Sequence, residues 1–343
     1  MNRFAWANAT TISEATAATS ITVADAMTAT SDAAGGRAIS DVKAGGIDLL
    51  DLLKENLLAP TKIVNLTDIA GLATIEESAG GLRIGSMVTL ANLAANAVVR
   101  QRYPALAVAL QNSASPQIRN VATLGGNLLQ RPRCWYFRAA EYHCLRKGGG
   151  HCFAISGENQ YHAIFDNQSC AVVHPSTAGT VLEALGAKLE LANSEGVSRN
   201  ILLEDFFVSP DRDIQRENDL KPQEILTAIL LPALPTSLRM AHLKQGERDS
   251  FDWPLADVAV ALDFNGDGSC KYAAIILGAA APVPHRARAA ENILIGRHVD
   301  DATAREAAQA SLTGATPLAK NAYKLPLFET LVRRAILKAA IHP

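Results

Sequence analysis

The chain has 343 residues, 48% of them hydrophobic and 19% charged, with a net charge of −2. That length calls for two or three domains around a sizeable core, and the near-neutral balance, with no long basic run, argues against nucleic acid as a partner. No apolar run approaches the roughly twenty residues of a membrane span, and Met1–Thr10 carries neither the apolar core of a secretory leader nor a twin arginine, so the expected location is cytoplasmic.

Residues 1–58 read as a small α/β unit. A helical pattern covers 13–26, and a strand at 38–42 leads into Ala44-Gly45-Gly46-Ile47-Asp48-Leu49. Leu49, Leu50, Leu52, Leu53 and Leu57 then fall on one helical face. Residues 59–220 form a second unit, with strands at 63–66, 82–85 and 188–191 and helices at 89–97, 104–112 and 176–185. Inside it stands a second paired-glycine loop, Thr123-Leu124-Gly125-Gly126-Asn127. An insertion at about 128–173 follows and holds four of the five cysteines. Residues 209–222, rich in Asp, Arg, Glu and Asn, read as a linker. Residues 221–343 form a third unit. Strands are expected at 225–231, 239–244, 258–264 and 270–277, the last two flanking the hairpin signal Asn265-Gly266-Asp267-Gly268. Helices are expected at 286–295, 302–311 and 325–341.

Glycine has no Cβ, so paired glycines let backbone N–H groups close around an anion, and a helix starting there adds its positive end. The two loops therefore read as ordinary tight turns or as a clamp gripping one pyrophosphate from both sides. Neither matches the dinucleotide fingerprint G-x-G-x-x-G, and neither is a P-loop, because no Lys-Ser or Lys-Thr follows.

The cysteines are Cys134, Cys144, Cys152 and Cys170, with gaps of nine, seven and seventeen residues. Four thiols so grouped read as ligands of an iron–sulfur cluster or of an all-thiolate zinc ion. Two disulfides, or four separate buried thiols, are the other readings. His143 and His151 each precede a cysteine, which keeps a mixed Cys/His zinc site open. None of the gaps is the C-x2-C of a regular zinc or ferredoxin motif. Arg131, Arg133, Arg138, Arg146 and Lys147 crowd the segment, and positive charge there would favour thiolates. Cys270 reads as an inert buried thiol.

Four segments carry a resemblance. Lys43-Ala44-Gly45-Gly46-Ile47-Asp48-Leu49, Pro116-Gln117-Ile118-Arg119-Asn120, Thr123-Leu124-Gly125-Gly126-Asn127-Leu128 and His174-Pro175-Ser176 stand in the order found in FAD-binding subunits of the xanthine dehydrogenase and molybdenum hydroxylase family. The likeness runs from Phe4 to the final helix. It implies an α+β fold: a two-subdomain FAD-binding domain of the p-cresol methylhydroxylase type, then a C-terminal domain of antiparallel sheet and helical bundle. It places Lys43, Ala44, Gly45, Gly46, Ile47, Asp48, Leu49, Thr123, Leu124, Gly125, Gly126, Asn127, Thr177 and Lys244 at the flavin nucleotide. Asp48 doubles as a candidate helix N-cap. Ile47 stands where the family usually has Thr, and Thr177 where it usually has Asp. The insertion is similar to that of a subgroup carrying an extra [4Fe-4S] cluster, seen in aldehyde oxidoreductases and 4-hydroxybenzoyl-CoA reductases. The run Gln130-Arg131-Pro132-Arg133-Cys134 is nearer the aldehyde pattern. By that resemblance Cys134, Cys144, Cys152 and Cys170 ligate the cluster, and the partners are a small [2Fe-2S] subunit and a large subunit holding the molybdenum cofactor. Electrons would pass from the [2Fe-2S] centres to FAD and on to an external acceptor. No catalytic residue is expected in this chain, and a signal-bearing partner would make the location periplasmic. Two rival readings are a subunit of a coenzyme A thioester reductase and a non-redox, zinc-stabilised assembly subunit.

Overall fold

The computed structural model describes residues 1–19, 40–78 and 80–341. The chain opens on β1 (Ala5–Asn8) and α1 (Ile12–Ala18), whose first turn is capped by Thr11. Residues 20–26 of the expected first helix and 38–39 of the expected strand lie outside the described residues. β2 (Ser40–Lys43), α2 (Ile47–Lys54) and β3 (Lys62–Asn65) follow. Both β1 and β2 pair in parallel with β3, so the three-stranded sheet has the order β1-β3-β2. Parallel neighbours cannot be joined by a tight hairpin, and α2 supplies the crossover from β2 to β3.

The second unit starts with β4 (Ile75–Ser78) and β5 (Gly81–Gly85), then α3 (Leu90–Ala95), α4 (Ala97–Arg102), α5 (Pro104–Gln111), α6 (Pro116–Arg119) and α7 (Leu124–Leu129). The insertion holds only short helices, α8 (Trp135–Arg138), a 3-10 turn at Leu145–Lys147 and α9 (Phe153–Ser156). After it come α10 (Thr177–Ala184), β6 (Lys188–Asn193), β7 (Ser198–Leu202), α11 (Leu203–Phe206) and β8 (Glu224–Leu231). The five strands form an antiparallel sheet of order β4-β5-β8-β6-β7. This moves the expected boundary at 220. β8 is the middle strand of this sheet, and its run Ile225-Leu226-Thr227-Ala228-Ile229 is buried, so the third unit begins after Leu231. The polar stretch before β8 imitates a linker, but the strand's partners, β5 and β6, lie far away in sequence.

The third unit is a sheet of order β12-β11-β10-β9, built from β9 (Arg239–Gln245), β10 (Ala256–Phe264), β11 (Cys270–Gly278) and β12 (His285–Arg286). α12 (Arg288–Leu294), α13 (Asp301–Ala310) and α14 (Lys324–Ile341) cover one face. Alternation along β10 explains its unbroken apolar run. Val258, Val260 and Leu262 pack with Phe328, Val332 and Ile336 of α14, whereas Ala259 and Ala261 pack with Val181 and Leu182 of α10. Small alanine side chains let the second unit approach the sheet closely. Lys324 Nζ, fully buried, donates to Ala279 O (2.7 Å) and His162 O (3.0 Å), tying the insertion to the third unit. No described helix is long and apolar enough to cross a membrane.

Candidate functional site

The end of β2 runs straight into the first glycine loop. Gly46 sits at φ 81°, in the left-handed region where glycine costs least, and its carbonyl opens α2. Gly45 lies against the second loop: a Cβ there would stand 2.2 Å from Val121 O. In that second loop Thr123 caps α7, its Oγ1 accepting from Gly126 N at 3.1 Å, and Gly125 N donates to Ser86 O at 2.8 Å. Two loops far apart in sequence thus face each other across one cavity of about 360 Å³.

Ala44, Gly45, Gly46, Ile47, Asp48, Leu49, Thr123, Gly125, Gly126 and Asn127 line that cavity. The other candidates lie back from it. Lys43 Nζ donates to Ala44 O at 2.9 Å. Leu124 is a fully buried core side chain. Thr177 is buried at the start of α10. Ser176 makes the link instead, donating from Oγ to Asn127 Oδ1 at 2.6 Å while accepting from Gly179 N. Lys244 Nζ donates to Asn112 O at 2.8 Å, and its partial burial lowers its pKa.

Sequence reasoning missed a whole wall. The supposed linker at 209–222 contributes Arg216, Glu217, Asn218, Leu220 and Lys221 to the cavity. It is held in place by the Phe207–Asn218 bridge and by Val208 N donating to Glu217 O. Gln223, next in line, adopts φ 61°, a strained value for a non-glycine residue and one that clusters at ligand sites. Asp41, Arg131, Arg133 and Trp253 are also among the lining residues. The clue in the sequence was the close alternation of acid and base between Asp211 and Glu217, which suits ion pairing across a site as well as solvation.

The insertion's arginines do something other than neutralise thiolates. Asp48 accepts from Arg131 N (2.9 Å), Arg133 Nη2 (2.9 Å) and Arg138 Nη2 (2.7 Å), so it clamps the insertion rather than capping its own helix. Asp51 takes a second bond from Arg133 and from Arg138. Glu217 pairs with both Arg131 (2.8 Å) and Arg146 (2.7 Å). Arg146 and Lys147 do act on the cysteines, Arg146 on Cys170 and Lys147 on Cys144 and Cys134.

Cys134, Cys144, Cys152 and Cys170 line one small second cavity together with Arg146, Tyr136, Phe137 and Phe153. All are free thiols. Cys270, also a free thiol, is buried in the third unit. Cys152 and Cys170 are within hydrogen-bonding reach of each other, and His162 Nε2 lies 3.2 Å from Cys134 Sγ. Burial pushes the Cys134 thiol up to about 12, while the Cys152 thiol and the Arg146 guanidinium hold Cys170 down at about 6. His143 and His151 do not line this cavity. Among the described residues no three His, Cys, Asp or Glu side chains gather as tightly as one metal ion requires.

The chain resembles known proteins along its whole length. Residues 2–234 match the FAD binding domain in molybdopterin dehydrogenase, and residues 241–339 match the CO dehydrogenase flavoprotein C-terminal domain. It is 36% identical to the aldehyde oxidoreductase FAD-binding subunit PaoB of Escherichia coli K12 over 86% of this chain and 90% of that one. It is 28% identical to the nicotine 6-hydroxylase medium subunit of Paenarthrobacter nicotinovorans over 88% and 89%. Among solved structures, quinoline 2-oxidoreductase from Pseudomonas putida 86 superposes with a TM-score of 0.72 at 26% identity, covering 99% of this chain and 97% of that one. CO dehydrogenase from Oligotropha carboxidovorans has the same fold, with a TM-score of 0.74 at 23% identity and coverage of 100% and 99%.

Proposed function

The chain belongs to the FAD-binding medium subunits of the xanthine dehydrogenase and CO dehydrogenase family, and from that membership we propose that it serves a three-subunit molybdenum enzyme that oxidises an aldehyde. In this reading electrons come from [2Fe-2S] centres on a small subunit, and an external acceptor takes them from this one. FAD, when bound, supplies the switch between two-electron and one-electron chemistry. The residues described here bind and position. Backbone N–H groups at the start of α2, after Gly46, would hold the pyrophosphate, while Gly45 lets the second loop close against the first, a contact that a Cβ would block. Arg216 and Lys221 add positive charge to the facing wall, and the buried Ser176–Asn127 bond fixes the end of α7.

Cys134, Cys144, Cys152 and Cys170 would hold a [4Fe-4S] cluster, with Arg146 offsetting its charge. Support for this comes from their gathering at one hollow with no disulfide among them. Identity of 36% to an aldehyde oxidoreductase subunit, against 28% to a nicotine hydroxylase subunit, favours an aldehyde over an N-heterocycle.

The observation that carries the reading is the pair of glycine loops closed on one cavity. Its test is anaerobic mixing of the intact complex with an aromatic aldehyde, an aliphatic aldehyde, xanthine and nicotine in turn. Bleaching of the bound flavin within seconds by an aldehyde alone is the expected result. Bleaching by a heterocycle, or no bound flavin at all, would refute it.

A further inference from the structure

One carboxylate in the flavin cavity has no task in the scheme above. Asp41, on β2 four residues before Gly45, lines the cavity and is only 2% exposed. Its Oδ1 accepts from Val42 N at 2.8 Å, and its Oδ2 has no hydrogen-bond partner. A buried carboxylate oxygen left in that state is destabilising, so its retention calls for a partner that arrives with a ligand. Its own surroundings offer little relief: burial pushes the carboxyl up to about 7, against a weaker pull from Arg131.

The chemistry of that partner follows from the atom. In its ionised form Oδ2 accepts hydrogen bonds and repels anions, and with the carboxyl raised to about 7 that form is populated from neutral pH upward, so a hydroxyl or amine rather than a phosphate suits it. A strand advances about 3.3 Å per residue, which puts Asp41 roughly 13 Å back along the chain from the loop that faces the pyrophosphate. That is the reach of a dinucleotide's sugar and ring groups, whose hydroxyls and amine are donors.

We propose that Asp41 Oδ2 accepts a hydrogen bond from a hydroxyl or amino group of the bound FAD, making Asp41 a determinant of dinucleotide recognition beside the two glycine loops. The inference rests on the flavin reading above. Without FAD the group is a liability to the fold; with FAD it is satisfied. Affinity and stability of the empty site therefore move in opposite directions when it is removed.

The test uses the intact complex stripped of flavin, with FAD and ADP titrated calorimetrically and melting followed before and after loading. Asp41→Ala is expected to weaken FAD by about ten- to a hundredfold, the loss typical of a charged hydrogen bond, while the flavin-free form melts no lower than wild type. Asp41→Asn keeps an acceptor and is expected to recover most of the affinity. An equal loss for ADP assigns the bond to the adenosine half, and a loss confined to FAD assigns it to the ribityl side; both support the proposal. Unchanged FAD affinity in Asp41→Ala, or a fall in affinity matched by a fall in flavin-free melting, would overturn it. Wild type that binds no FAD would instead overturn the functional reading.

Discussion

At the scale of single residues, Gly45 carries the tightest constraint in the site. A methyl group there would meet Val121 O at 2.2 Å, so either the two loops part or the strand end shifts. Gly45→Ala is expected to cost about 1–3 kcal/mol of stability and more than tenfold in FAD affinity, read from melting and from bound-flavin absorbance. Gly150→Ala, where nothing lies within 4 Å of the added carbon, is the control and changes neither. The glycines were legible in the sequence because their role is local: a turn and a backbone approach need the same residue wherever the partner lies. Asp48 was not. Its place at the start of a helix suits a cap, but its partners are Arg131, Arg133 and Arg138, more than eighty residues away, and nothing in the local pattern reveals them. The same holds for Asp41, which reads in the sequence as an ordinary residue of a short strand.

At the scale of elements, the flavin cavity and the cysteine cavity share a wall. Glu217 lines the first, Arg146 lines the second, and the two are paired at 2.7 Å with Arg131 alongside. Both guanidiniums are buried, and removing their shared counter-charge strands them, at a cost on the order of 3–5 kcal/mol. Glu217→Gln is therefore expected to lower retention of flavin and of iron together after dialysis. Loss of one without the other would show that the two cavities are held independently. Breaking the exposed Arg297–Glu306 pair is expected to change neither, since surface pairs contribute roughly 0–1 kcal/mol. The segment supplying Glu217 read as a linker because its charges look solvated until their partners are known. Periodic elements such as α14 and the β10–β11 hairpin were legible from pattern. The four-residue pieces β1, β4 and α8 were not: α8 barely exceeds one helical turn, and β1 and β4 are largely exposed on both faces, so no apolar alternation marks them.

At the scale of the molecule, three units are fused through small residues and buried polar ties. The alanine face of β10 packs on α10, and Lys324 fixes the insertion to the third unit through backbone carbonyls. The family could be recognised from four short motifs because three of them supply residues that line the cavity and the fourth, through Ser176, holds Asn127 in place. The position of β8 could not, because sheet order depends on pairings across the chain. This architecture brings the cysteine insertion against the flavin site, where the proposed [4Fe-4S] cluster would stand beside the flavin. The cluster's most direct measurement is iron and acid-labile sulfide in the intact complex, purified without air, against the same complex with Cys134, Cys144, Cys152 and Cys170 all replaced by Ser. A difference of about four irons and four sulfides per chain is expected, as one [4Fe-4S] cluster requires, with any [2Fe-2S] signal of the partner subunit unchanged. Equal iron in the two complexes, or one zinc lost in place of iron, would contradict it.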